Sequence, residues 1–206
     1  GVRIGGIRGQ SEVDSEVAAA CESAIAAIAD AGIEVIEIPR LFDGDCVDDW
    51  FGIVCTCLAR SMEELSGHHR FDEVDPVLQM LVERGRSTTG IDVVRALDAA
   101  HLLNLRLVEA FHDVRLILSP TTAGIAPPVD LAGMGIINGR EDPNWVRFTY
   151  VFNMTRSPAA TVPVGLSAAG IPIGLQVVGP QHADHVVLRA AAAIEDLIGF
   201  DAVAQI

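Results

Sequence analysis

A chain of 206 residues, half hydrophobic and one fifth charged, carries enough apolar material for a sizeable core and is not a disordered polymer. Its net charge of −14 has the wrong sign for nucleic-acid backbones and for anionic lipid surfaces, and no apolar run is long enough to span a bilayer. So little surface charge on so apolar a chain implies a neighbour that covers part of it.

The N-terminal GVRIGGIRGQ lacks the basic head and apolar middle of a secretory leader. Val2 to Ile7 reads as a short buried strand. Gly5, Gly6 and Gly9 do not match the dinucleotide fingerprint and are expected in a tight strand-to-helix loop. Ser11-Glu12-Val13-Asp14 resembles a capping box. Val13, Val17, Cys21, Ile25 and Ile28 then recur on one helical face, and Gly32 suits a left-handed cap. Ile33 to Ile38 is a second strand, stopped by Pro39. Strand, helix and strand form a βαβ unit with parallel pairing.

Asp43 to Asp48 has only part of a calcium loop and reads as a solvated acidic turn. Trp50 to Leu65 is expected to be helical, with Asp48 and Asp49 at its positive end. His68, His69, Asp72, Glu73 and Asp75 make a polar run without the spacing that converges ligands on a metal. Asp75-Pro76 opens another helix, with Gly85 as its stop. A long helix follows from Gly90 to His112, its apolar stripe carried by Ile91, Val94, Leu97, Leu102, Leu105 and Val108; His101 sits at the boundary.

Val114 to Leu118 is a third strand, broken by Ser119-Pro120. Residues 121–141 have no period and read as a long loop. Asp142-Pro143 starts a helix running to Met154. Ala160 to Val164 and Ile173 to Val178 are strands joined by a turn at Ser167–Gly170, and a last helix runs from Ala183 to Ile198. Gln176, alone in an apolar strand, is expected to be a structural amide with buried partners. Residues 1–206 are expected to form a single α/β domain whose mixed β-sheet is flanked by helices. No cofactor or metal motif is present. The four cysteines, Cys21, Cys46, Cys55 and Cys57, form no CxxC pair, which suits reduced thiols in a cytoplasmic protein. No GxSxG elbow occurs, and Ser66-Gly67-His68 alone does not make a triad.

Four blocks resemble the amidase signature family. They are Val2-Arg3-Ile4-Gly5 with the strand ending at Pro39; Asp113-Val114-Arg115-Leu116-Ile117-Leu118-Ser119-Pro120-Thr121-Thr122; Phe152-Asn153-Met154-Thr155 with Pro158-Ala159 and Val162-Pro163-Val164-Gly165; and Ile171-Pro172-Ile173-Gly174-Leu175-Gln176-Val177-Val178-Gly179. The last is the most specific, and the blocks span nearly the whole chain in the family's order. Arg156 departs from the pattern, standing where family members often carry glycine.

The resemblance implies a complete enzyme that cleaves carboxamides by serine acyl transfer, with a Ser–cis-Ser–Lys triad set in a glycine- and serine-rich signature. This chain has no such run and no lysine. Arginine does not replace the lysine, because its guanidinium stays protonated. The expectation is therefore a C-terminal portion of an amidase, with no catalytic residue of its own and inactive without an N-terminal catalytic half. It would frame the pocket for a small amide substrate. Thr121, Thr122 and Asn153 are the expected substrate-binding groups, with backbone capping as the alternative for each. A noncatalytic interaction module that kept the scaffold is the competing reading. An amidotransferase subunit is a third, disfavoured by the acidic charge. Strand edges and an apolar sheet face left bare by the missing half predict a homo-oligomer.

Overall fold

The computed structural model describes residues 3–7, 12–38, 46–65, 71–129 and 134–201. Its centre is a five-stranded mixed sheet. Strands β1 (Arg3–Ile7), β2 (Glu34–Ile38), β3 (Leu116–Pro120), β6 (Ala159–Leu166) and β7 (Pro172–Val178) lie in the order β2-β1-β3-β7-β6. β1 pairs parallel with both β2 and β3, while β7 runs antiparallel to β3 and β6. The expected mixed α/β sheet is thus present, opened by the parallel βαβ unit and closed by the antiparallel hairpin.

Alternation along the strands sends side chains into two cores. Leu116, Leu118, Leu175 and Val177 face helices α1 (Ser15–Asp30) and α6 (Asp184–Ile198), where Val17, Cys21, Ile25, Ile28 and Val187 meet them. Ile117 and Val178 point the other way, onto Leu107 of α4 (Gly90–Asp113) and onto Val151 and Phe152 of α5 (Arg147–Thr155). Outside that second layer, α2 (Val47–Leu65) packs on α3 (Pro76–Ser87) and on α4.

Several boundaries differ from the sequence expectation. The α1 cap is Asp14, whose Oδ1 accepts from the Glu16 N–H at 3.0 Å, while Ser11 of the expected box lies outside the described residues. Gly5 and Gly6 lie inside β1 rather than in a loop. A Cβ on Gly5 would stand 2.1 Å from Ile38 Cδ1, so its bareness lets the neighbouring strand's isoleucine fold over it. Gly85 does not end α3. It is buried two residues before the end, where a Cβ would fall 1.9 Å from the Cys55 carbonyl oxygen, so it sets how closely α3 approaches α2. β3 runs through Ser119 and Pro120, which pair with Gln176 and Leu175. The β1 ladder on its other side already ends at Leu118, so the proline interrupts nothing there.

The stripe expected to seat α4 does not do so. Ile91, Val94, Leu97, Leu102, Leu105 and Val108 are exposed, and Ala96, Ala100 and Leu107 face the core instead. Small residues win that position because α2 comes close: a Cβ on Gly52 would lie 3.6 Å from Ala96 Cβ. Pro39, the 43–45 part of the acidic turn, Ser66-Gly67-His68 and His69 lie outside the described residues.

Candidate functional site

The parallel strands β1, β2 and β3 end on one edge of the sheet, at Ile7, Ile38 and Pro120. In open α/β sheets this carboxyl edge is where ligand-binding groups collect, because the loops leaving it carry side chains that the sheet itself does not constrain. The loop after β3 crosses that edge and is held at Thr121 and Ala123. Thr121 N–H donates to the Gly174 carbonyl at 2.9 Å, Ala123 N–H to Trp145 at 2.6 Å, and Asp14 N–H to Ala123 at 2.7 Å.

The hydroxyls of Thr121 and Thr161 are 3.2 Å apart, and Thr122 Oγ1 donates to the Gly124 carbonyl at 2.8 Å. Gly174 makes the first contact feasible, since a Cβ there would sit 2.5 Å from Thr161 Cγ2 and 2.9 Å from Thr121 Oγ1. Neither threonine hydroxyl bonds a group that accepts a proton at working pH. Without such a partner neither is activated as a nucleophile.

Residues 121–141, expected as a long loop, hold most of an antiparallel ribbon of β4 (Gly135–Ile137) and β5 (Arg140–Asp142). Asn138 and Gly139 turn it with φ of 50° and 77°, the doubly left-handed turn that Asn-Gly favours. That dipeptide was the available signal. The ribbon is tied to the α1 entrance: Asp14 Oδ2 accepts from Asn138 N–H at 2.9 Å, and Asn138 Oδ1 accepts from Ser15 N–H at 3.0 Å. Arg140 adds an ion pair to Glu12. Trp145 covers Gly135, where a Cβ would lie 2.1 Å from the indole. The expected helix start at Asp142-Pro143 is displaced to Arg147, because Asp142 belongs to β5 and its carboxylate accepts from Asn144 N–H at 2.7 Å, forming a turn.

Asn153 lies elsewhere. It sits on α5 with Nδ2 donating to the Thr149 carbonyl at 3.0 Å, and it borders an open hollow of about 660 Å³ with Arg156, Pro158, Gln181, His182 and Asp184. This hollow is at the opposite end of the sheet. Thr121 bonds Gly174 near the start of β7, whereas Pro158 bonds Gly179 just past its end, a separation of about 17 Å at roughly 3.3 Å per residue. The structure therefore brings Thr121 and Thr122 together and leaves Asn153 apart. Gln176 lies between, buried, donating to Ser119 Oγ at 3.1 Å and to the Phe148 carbonyl at 3.4 Å.

Burial in the α1 core pushes the Cys21 thiol up from 9.0 to about 12, with Glu22 adding to the shift. Such a thiol stays protonated and is no nucleophile. Burial likewise raises Cys55. Among the described residues no group of three or more His, Cys, Asp or Glu side chains gathers to hold a metal ion, and no helix is long and apolar enough to cross a membrane.

Sheet order, blocks and loop together define a class. The Amidase family model matches residues 1–188, and the chain belongs to that amidase signature family. Acylamidase from Rhodococcus erythropolis is 32% identical over 191 residues, which are 91% of this chain and 40% of the relative. A 2-amino-5-chloromuconic acid deaminase from Comamonas testosteroni is 29% identical, again over 91% of this chain and 41% of the relative. Among solved structures, 6-aminohexanoate cyclic dimer hydrolase superposes with a TM-score of 0.78 at 27% identity, covering 97% of this chain and 45% of the hydrolase. The chain spans less than half the length of these relatives.

Proposed function

We propose that this chain is the C-terminal portion of an amidase that hydrolyses carboxamide C–N bonds by serine acyl transfer, and that it frames the substrate pocket without supplying the chemistry. One observation carries the reading. The chain matches the family over residues 1–188, yet it contains no lysine and no glycine- and serine-rich signature. In the complete enzyme a serine attacks the amide carbonyl, the amine leaves with a proton passed through the second serine and the lysine, and water releases the acid. Those groups belong to the N-terminal catalytic half.

The chain's own contribution is positional. The pinned loop at the carboxyl edge presents the Thr121 and Thr122 hydroxyls to the polar end of a small amide, and its bonds to Trp145, Asp14 and Gly174 keep them in place. Asn153 contributes from the hollow at the opposite end of the sheet, where its amide bonds the Thr149 carbonyl. Four cysteines outside any disulfide suit the cytoplasm. Copies of the chain are expected to associate.

The test is an assay of the purified chain against a panel of aliphatic, aryl and cyclic amides, with a fluorophosphonate probe for activated serines. No turnover above the blank and no labelling are expected. Hydrolysis blocked by the probe would overturn the reading.

A further inference from the structure

One face of α4 is bare. Ile91, Val94, Leu97, Leu102, Leu105 and Val108 keep between 49% and 73% of their surface exposed. At 100° per residue they fall within an arc of about 140°, opposite the buried Ala96, Ala100 and Leu107. Six such side chains, each roughly half exposed, amount to on the order of 600 Å² of apolar surface. That is the upper range for a monomer's patch and most of the roughly 800 Å² one partner brings to a standard interface.

The charges beside the stripe select what covers it. Arg95 and Arg106 border the stripe, Asp98 and Glu109 fall within the adjoining side of its arc, and all four are exposed, in the order plus, minus, plus, minus. Turn a second copy of the helix end for end about an axis at residues 101 and 102. Arg95 then faces Glu109 of the partner subunit and Asp98 faces Arg106 of the partner subunit, each pair occurring twice. To within one residue, the same operation sets Val94 against the partner's Val108 and Leu97 against the partner's Leu105. A parallel two-fold arrangement would instead turn the charged side of each helix toward the opposite side of its partner and bring neither pair together. Arg95 already bonds Asp92 at 2.9 Å, but that pair is exposed and easily exchanged.

We propose that α4 is a self-association surface, on which a second copy of this chain packs antiparallel through the stripe from Ile91 to Val108. The proposal deepens the association put forward above and is independent of the amide chemistry. It names the helix face, rather than a sheet edge, as the surface that is hidden.

The experiment combines sedimentation with single-cysteine cross-linking in a Cys57→Ser background, which removes the exposed native thiol. The chain is expected to sediment as a dimer at micromolar concentration. Leu105→Glu should raise the dimer dissociation constant by about tenfold or more. Arg95→Glu alone should weaken the dimer, and Arg95→Glu with Glu109→Arg should restore it. His101→Cys should form an intersubunit disulfide, while Ile91→Cys should not, its two copies standing about 30 Å apart in the antiparallel pair at 1.5 Å per residue. Circular dichroism confirms that each variant is folded. A monomer across the micromolar range sinks both the association and the surface. A dimer indifferent to Leu105→Glu, with no His101→Cys cross-link, leaves association standing and overturns α4. Cross-linking of Ile91→Cys to itself overturns the antiparallel order.

Discussion

Arg156 holds a left-handed backbone, φ 54° and ψ 32°, at the end of α5, where its side chain has no hydrogen bond or ion pair in the described structure. The conformation closes the helix: Ser157 N–H donates to the Phe152 carbonyl at 3.1 Å, reaching back over the last turn. A Cβ in that region costs about 1–2 kcal/mol, part of which glycine returns to the unfolded chain as entropy. Arg156→Gly is therefore expected to raise stability by up to about 1 kcal/mol in urea titration, with an unchanged m-value. Cys21 makes the other residue-scale prediction. Below its ordinary pKa of 9.0 the thiol is protonated in both states and has no effect on stability. Between 9.0 and about 12 the unfolded chain ionises it and the native core does not, so unfolding is favoured by about 1.4 kcal/mol per pH unit. Alkaline denaturation should therefore fall less steeply in Cys21→Ala than in the parent chain.

At the scale of elements, the carboxyl-edge loop is held by the joint between α1 and the β4–β5 ribbon. Asp14 works on both sides of it, capping α1 with one oxygen and accepting from Asn138 N–H with the other. Asp14→Ala removes a cap worth about 1 kcal/mol and strands a second, charge-assisted bond, so a loss of about 2 kcal/mol is expected by thermal melting. Asp14→Asn keeps one acceptor oxygen and should lose less. Amide exchange should quicken around Asn138 in Asp14→Ala before it does so in the β3–β7 ladder, because the joint is local and the ladder is central.

At the scale of the molecule, a charge of −14 acts on everything at once. Self-repulsion opposes the compact state and opposes any pairing of copies, while short-range pairs such as Arg3–Glu34 at 2.8 Å, half exposed, add little back. Raising salt from about 10 to about 150 mM shortens the screening length from roughly 30 to 8 Å. Both the melting temperature and the extent of association should therefore rise over that range. An unchanged melting temperature would show that the negative charges are spaced too widely to matter.

Local rules made much of this protein legible. The period of α1, the Asp75 cap before Pro76, the turn at Gly170 and the left-handed Gly32 and Gly199 follow from propensities that act within a few residues. The family blocks and the missing lysine are likewise properties of the sequence alone. What tertiary structure decided was which of two plausible faces or ends prevailed. Gly85 looked like a helix stop and serves as a contact point, because the neighbouring helix leaves no room for a Cβ. The aliphatic stripe of α4 looked like core, but a close approach by α2 selected the alanine face. Thr121 and Asn153 both sit in family blocks, yet the direction of β7 puts them at opposite ends of the sheet. Local chemistry is encoded within a helical turn or two, whereas side-chain placement across the molecule depends on backbone separations that no single segment carries.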